Sequence, residues 1–131
     1  MQYVDPAEAL VMSVILVVED DAFIRQAALW MIEDLGHEAL FAEDLAGALS
    51  HLNATAPIDA LFVDIRLDKL AYGGYDVANQ AVGIRPGLRI LYTSGSPITA
   101  AMTDMFVDDG QFLQKPYSLE QFGLSVGRLL Q

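Results

Sequence analysis

The sequence predicts an α/β domain: one parallel sheet with helices on both faces. Three observations predict it. Short apolar runs recur along the chain, at Val14–Val18, Ile58–Val63, Leu88–Tyr92 and Phe112–Gln114. Runs of that length suit strands covered on both sides. Segments with helical apolar spacing separate them. The runs end in polar chemistry: Glu19-Asp20-Asp21, Asp64, Thr93-Ser94-Gly95 and Lys115-Pro116. Alternation of strand and helix implies right-handed crossovers, so the strand carboxyl ends share one edge.

Val14 to Val18 is the first strand, rich in β-branched residues. Asp21 caps a helix from Ala22 that stops at Gly36. Its stripe is Ile24, Ala28, Met31 and Leu35, spaced 4, 3 and 4. Phe23 and Trp30 lie seven apart and widen the stripe, and core packing is expected for both. His37 to Ala42 is a second strand. Asp44 then caps a helix with Leu45, Ala48, Leu49 and Leu52 on one side.

Asn53 to Pro57 is a loop, and Ile58 to Val63 a third strand that Asp64 ends. Residues 65–74 form a loop closing on Gly73-Gly74, followed by a short helix from Tyr75 to Val82. Pro86-Gly87 turns the chain into a fourth strand, Leu88 to Tyr92. Residues 97–109 have helix-compatible composition and weak amphipathicity. Phe112 to Gln114 is the fifth strand. Ser118 and Gln121 form a capping-box signature, and Leu119, Phe122, Val126 and Leu129 are expected to face inward.

The length of 131 residues fits a single domain. The absence of cysteine excludes disulfides and thiolate zinc sites. No apolar run is long enough to span a bilayer. Met1 to Met12 lack the basic start of a signal peptide, so a cytoplasmic location is expected. These twelve residues read as an N-terminal extension or a vector remnant, with the domain occupying 13–131. The net charge of −11 leaves no basic footprint for nucleic acid.

In open parallel sheets the functional site lies outside the strand carboxyl ends. That rule gathers Glu19, Asp20, Asp64, Ser94 and Lys115. Helix N-termini favour acids, which accounts for Asp21 as a cap. It does not account for Asp64, which ends a strand before a long loop. Clustered carboxylates raise one another's pKa, and a cation relieves the repulsion. Mg²⁺ takes hard oxygens and keeps several waters. A carboxylate beside an ammonium and a metal is equipped to accept a phosphoryl group. His37 and His51 stand apart and read as surface or loop residues.

Four stretches in order, Ile15–Asp21, Leu61–Asp64, Ile90–Gly95 and Phe112–Tyr117, resemble the response-regulator receiver domain of two-component signalling. The resemblance covers about residues 13–130. It implies a flavodoxin-like (βα)5 three-layer sandwich with a five-stranded parallel sheet in the order 2-1-3-4-5. It implies Asp64 as phosphoacceptor, assisted by Lys115 and Ser94. Mg²⁺, or Mn²⁺ in its place, is held by Glu19, Asp20, Asp64 and the backbone carbonyl of Arg66. Ser94 is preferred to Thr93 as the switch hydroxyl, because Gly95 follows it and neighbouring strand residues face opposite ways. Phe112 holds the position of the aromatic switch. The Lys115–Pro116 peptide is expected to be cis.

The partners implied are a histidine kinase or histidine phosphotransferase and an effector protein, with a homodimer also in view. Nucleic acid and membrane are not expected as partners. The protein is expected not to be an enzyme beyond its own phosphorylation and dephosphorylation. The chain ends where the fifth helix does, so a single-domain regulator is expected. A phosphorelay shuttle or sink, or a receiver from a hybrid kinase, is the alternative. Three features depart from the family pattern: Asp68 where many receivers have Pro, a loop after Asp64 about two residues longer than usual, and the weak segment before Lys115. Other classes fit less well. A pseudo-receiver would not need Asp64 and Lys115 intact. A haloacid-dehalogenase-type phosphatase needs an acid where Arg66 stands. A flavodoxin needs a hydroxyl-rich loop where the acids are.

Overall fold

In the computed structural model, residues 13–67 and 73–131 are described. The extension read at 1–12 and the departure read at Asp68 lie outside them. The strands are β1 (Val14–Val18), β2 (Glu38–Ala42), β3 (Ala60–Asp64), β4 (Arg89–Ser94) and β5 (Gln111–Gln114). The helices are α1 (Ala22–Asp34), α2 (Leu45–Leu52), α3 (Gly73–Ile84), α4 (Ala100–Asp104) and α5 (Leu119–Leu129). All strand pairs are parallel, in the order β2-β1-β3-β4-β5. The reversal of direction about β1 and β3 puts the switch point where their carboxyl ends meet.

Period-two alternation sends each strand's residues to two separate cores. Ile15, Val17, Phe62 and Leu91 pack with Ala28 and Ile32 of α1 and Phe122, Val126 and Leu129 of α5. Leu16, Val18, Leu61 and Val63 pack with Ala48 and Leu52 of α2 and Val77, Ala78 and Ala81 of α3. Every residue of β1 and of β3 is buried, as strands covered on both faces require.

The helix caps act as the sequence implies. Asp21 accepts from the backbone N–H groups of Phe23 and Ile24, and Asp44 from that of Gly47. Ser118 and Gln121 complete a reciprocal capping box at 3.0 and 2.8 Å. Gly74 fits against the chain that leaves β3. Its N–H donates to the Ile65 carbonyl at 2.8 Å. A Cβ there would overlap the Asp64 carbonyl and stand 2.6 Å from Ile65 Cα.

Several expectations are corrected. Phe23 and Trp30 are 90% and 65% exposed, not core. The buried side of α1 centres on Ala28 and Ile32, which turns those two rings outward. Ile24 is also exposed, at the rim of the site. Leu119 is exposed, and Ser125 is buried instead, because α5 seats Phe122, Val126 and Leu129. The helix proposed across 97–109 shrinks to Ala100–Asp104, and it buries no residue. Too few apolar positions recur there to extend it against the sheet. Strand β4 runs on to Ser94, and α3 starts two residues early, at Gly73.

Candidate functional site

Glu19 follows β1 directly, and Asp64 is the last residue of β3; both are buried. Asp20 is exposed beside them. Lys115 follows β5, and its peptide bond to Pro116 is cis. Its ammonium donates to Glu19 Oε1 at 2.7 Å and to Asp64 Oδ2 at 3.0 Å. The other oxygen, Asp64 Oδ1, accepts from the Arg66 backbone N–H at 3.2 Å. Three strand ends and the turn after β3 therefore meet at one carboxylate.

These groups line an open pocket of about 610 Å³ together with Asp20, Ser94 and Arg66. Ser94 is buried, and its Oγ accepts from the Ser96 N–H at 3.1 Å. Its carbonyl accepts from the Lys115 N–H at 2.9 Å, tying β4 to the lysine. Thr93 is turned to the opposite face and lines a separate small cavity. The alternation that made Ser94 the preferred hydroxyl is thus present in the structure.

Burial pushes the Glu19 carboxyl up to about 7, and the nearby Asp64 charge adds to the rise against the pull of Lys115. Burial by itself draws the Lys115 ammonium down. Its hydrogen bond to Glu19 and the Asp64 charge outweigh that, so its pKa stands above the ordinary value. Tyr117 is raised by burial and by the charges of Glu19 and Asp64. It stands between Phe62 and Phe122, with ring centroids 5.8 and 5.6 Å away.

The donor set fits a hard divalent cation. One carboxylate oxygen each from Glu19, Asp20 and Asp64 lies within 4.8 Å of the others. Clustered carboxylates repel one another, and a bound cation relieves that repulsion. Oxygen-only donors and a side open to solvent suit Mg²⁺, which keeps several waters.

Phe112 is half-buried on the other face of the sheet. Its ring stacks on Phe106 at 6.3 Å, and Phe106 stacks on Tyr92 at 4.2 Å. Tyr92 is fully buried and its hydroxyl accepts from the Val107 N–H at 3.0 Å. This aromatic row underlies the short α4, whose Met105 is exposed.

The sequence named Gly74 only as the close of a loop, Thr93 only as the less favoured switch hydroxyl, and Tyr117 only as the end of a matching stretch. A glycine pair closing the loop after Asp64 was the available sign for Gly74. Tyr117 was marked by its place after Lys115-Pro116. Gly95 and strand alternation favoured Ser94 as the switch hydroxyl and gave Thr93 no role of its own.

The response regulator receiver domain family model matches residues 15–126. The chain is a response regulator receiver domain. No curated protein matches the sequence. Among solved structures, this receiver domain is similar to a response regulator receiver protein from Sinorhizobium medicae WSM419, with a TM-score of 0.81 and 28% identity over 91% of this chain and 94% of that one. It is similar to the receiver domain of the hybrid histidine kinase CckA, with a TM-score of 0.74 and 26% identity over 91% and 100% of the two chains. Chemotaxis protein CheY4 of Vibrio cholerae, at 22% identity and a TM-score of 0.82 over 92% and 100%, shares the fold. Receiver domains act in two-component signalling and are not enzymes in the ordinary sense. Among the described residues, no helix is long and apolar enough to cross a membrane.

Proposed function

We propose that this receiver domain accepts a phosphoryl group on Asp64 from a phosphohistidine of a histidine kinase or histidine phosphotransferase, and signals through protein contacts. The observation that carries the reading is the position of the Lys115 ammonium. It lies 3.0 Å from a strand-end carboxylate that shares its pocket with three further acids. An Asp64 oxygen attacks phosphorus in line. The phosphorus–nitrogen bond to the donor imidazole breaks, and that nitrogen keeps the electron pair and takes up a proton. Asp64 is left as an acyl phosphate.

Lys115 faces the phosphoryl oxygens and offsets their charge. Glu19 holds Lys115 in reach. Asp20, Asp64, the Arg66 carbonyl and Glu19, the last through water, would hold Mg²⁺. When bound, that ion would draw off charge developing on the phosphoryl oxygens. Ser94 lies on the pocket wall, within the pull of new phosphoryl oxygens. Its movement would free space for Phe112 to turn, a shift between two packings that a partner can read.

Two features support the choice of partners. The chain carries a net charge of −11, which opposes contact with nucleic acid. The face carrying Met102, Met105 and Phe106 offers side chains suited to repacking. The likeness to the CckA receiver supports a second reading, in which this domain passes or drains phosphoryl groups as part of a hybrid kinase relay.

The test is mass spectrometry after incubation with acetyl phosphate. In Mg²⁺ the protein should gain one phosphoryl mass, and in chelator it should not. Asp64→Asn should stay unmodified in both. An unmodified wild-type protein in Mg²⁺ would overturn the reading and leave a partner-binding domain without phosphorylation. Sedimentation of the two states then separates a switch, whose association changes, from a relay domain, whose association does not.

A further inference from the structure

Behind the acidic pocket, two buried polar atoms lack a partner among the described residues: Glu19 Oε2 and Thr93 Oγ1. The two residues line the same small cavity of about 10 Å³, along with Asp64, Tyr117 and apolar side chains of β1, β3 and α1. Its size is close to the roughly 10–15 Å³ that one water requires. Dry cavities are apolar, whereas a cavity bordered by a carboxylate and a hydroxyl is one that water enters. An unpaired buried oxygen is costly, and two on residues that line one cavity point to a shared partner.

We propose that this cavity holds one ordered water that accepts a hydrogen bond from the Thr93 hydroxyl and donates one to Glu19 Oε2, making Thr93 a positioning residue for the acidic site. Its use to phosphoryl transfer rests on the function proposed above; the water itself does not.

The geometry favours this arrangement over two others. Lys115 is already engaged by Glu19 Oε1 and Asp64 Oδ2, at 2.7 and 3.0 Å. A cation held from the open pocket does not serve Thr93, which lies outside that pocket's lining. Thr93 stands opposite Asp64 in the β3–β4 register, and its carbonyl accepts from the Ile65 N–H at 2.9 Å. Its backbone is thus anchored to the turn that carries the candidate phosphoacceptor.

The water would hold the Glu19 carboxylate at its second oxygen while Lys115 holds the first. The carboxylate then keeps one orientation toward the pocket. The hydroxyls of Thr93 and Ser94 divide their work between the two faces of β4: one steadies the acids from behind, the other faces the pocket.

The experiment compares wild type, Thr93→Val and Thr93→Ser. Valine matches the shape of threonine and removes the hydroxyl. With the water in place, Thr93→Val should lower the melting temperature by roughly 3 °C. It should weaken Mg²⁺ binding in calorimetry about fivefold. Thr93→Ser should restore both. A crystal structure of the wild-type protein should show a water within about 3 Å of both oxygens.

A dry cavity predicts the opposite sign: removing an unsatisfied hydroxyl would leave melting unchanged or raise it. That result, or an empty cavity in the crystal structure, overturns the proposal. The acetyl phosphate experiment on wild type separates the two ideas. Phosphorylated wild type together with wild-type Mg²⁺ affinity in Thr93→Val rejects the positioning role alone. An ordered water in a protein that takes no phosphoryl group rejects the function alone.

Discussion

Strand β3 and helix α4 meet opposite fates in the same small domain. All five residues of β3 are buried, and its last one, Asp64, carries the proposed chemistry. Helix α4 has five residues too, and buries none. The strand is held by ladders to β1 and β4 and by side chains on both faces. The helix is held by its Thr99 cap, which accepts from the Met102 N–H at 3.1 Å, and by a few half-buried neighbours. Catalytic geometry tolerates little displacement, so it belongs on elements locked by packing. A segment that must change its packing to signal belongs where little packing is lost when it moves.

The comparison is broken most forcefully at Gly74. Backbone lies where its Cβ would go, directly behind the proposed phosphoacceptor. Gly74→Ala should therefore destabilise the fold by about 3 kcal/mol in urea titration and reduce phosphorylation along with it. Gly95, on the α4 side of the pocket, has no atom within 4 Å of a built Cβ. Gly95→Ala should fall within about 0.5 kcal/mol of wild type. Equal costs at the two glycines would mean that the turn after β3 is free to adjust.

The next largest effect is pH dependence. Burial lifts Glu19 from its ordinary 4.5 to about 7. In chelator, the folded protein keeps a proton between those values that the unfolded chain has lost. Stability should therefore fall as pH rises through that window and level off above it. The drop is at most ~3 kcal/mol. Urea unfolding on either side of the window measures it, Glu19→Gln should flatten it, and Mg²⁺ should offset it at the upper end. A flat profile in wild type would mean that Glu19 is better solvated than its burial implies.

The smallest effect sharpens the contrast from the other side. Met105 is 48% exposed at the end of α4. Met105→Ser should change stability by no more than about 0.5 kcal/mol and leave acetyl phosphate labelling intact. It should weaken any association that phosphorylation induces, measured by sedimentation. A large loss of stability would show that the segment carries more of the core than its exposure indicates.

The parts legible in the sequence are those governed by short-range rules. The βα units could be read from the apolar runs because the inner strands β1 and β3 are covered on both faces and so are apolar throughout, up to the polar residue at their carboxyl end. The caps at Asp21, Asp44 and Ser118 could be read because they depend on residues within one turn. The convergence of Glu19, Asp64, Ser94 and Lys115 followed from parallel strands sharing an edge. The errors fall where rotation about an axis matters. Helix α1 has apolar residues around much of its circumference, so spacing alone did not say that Ala28 and Ile32 face the sheet while Phe23 and Trp30 face solvent. The same holds for Leu119 and Ser125 on α5.

By itself, then, the chain determined its class of fold, its order of elements and the edge on which its acids gather, because strand burial, capping and crossover handedness are local or topological constraints. Only the tertiary structure decided how the helices are rolled against the sheet, how little of residues 97–109 is helical, and that Thr93 and Glu19 border one cavity behind the site. Those features depend on which surfaces fill the space between layers, and no local spacing encodes that.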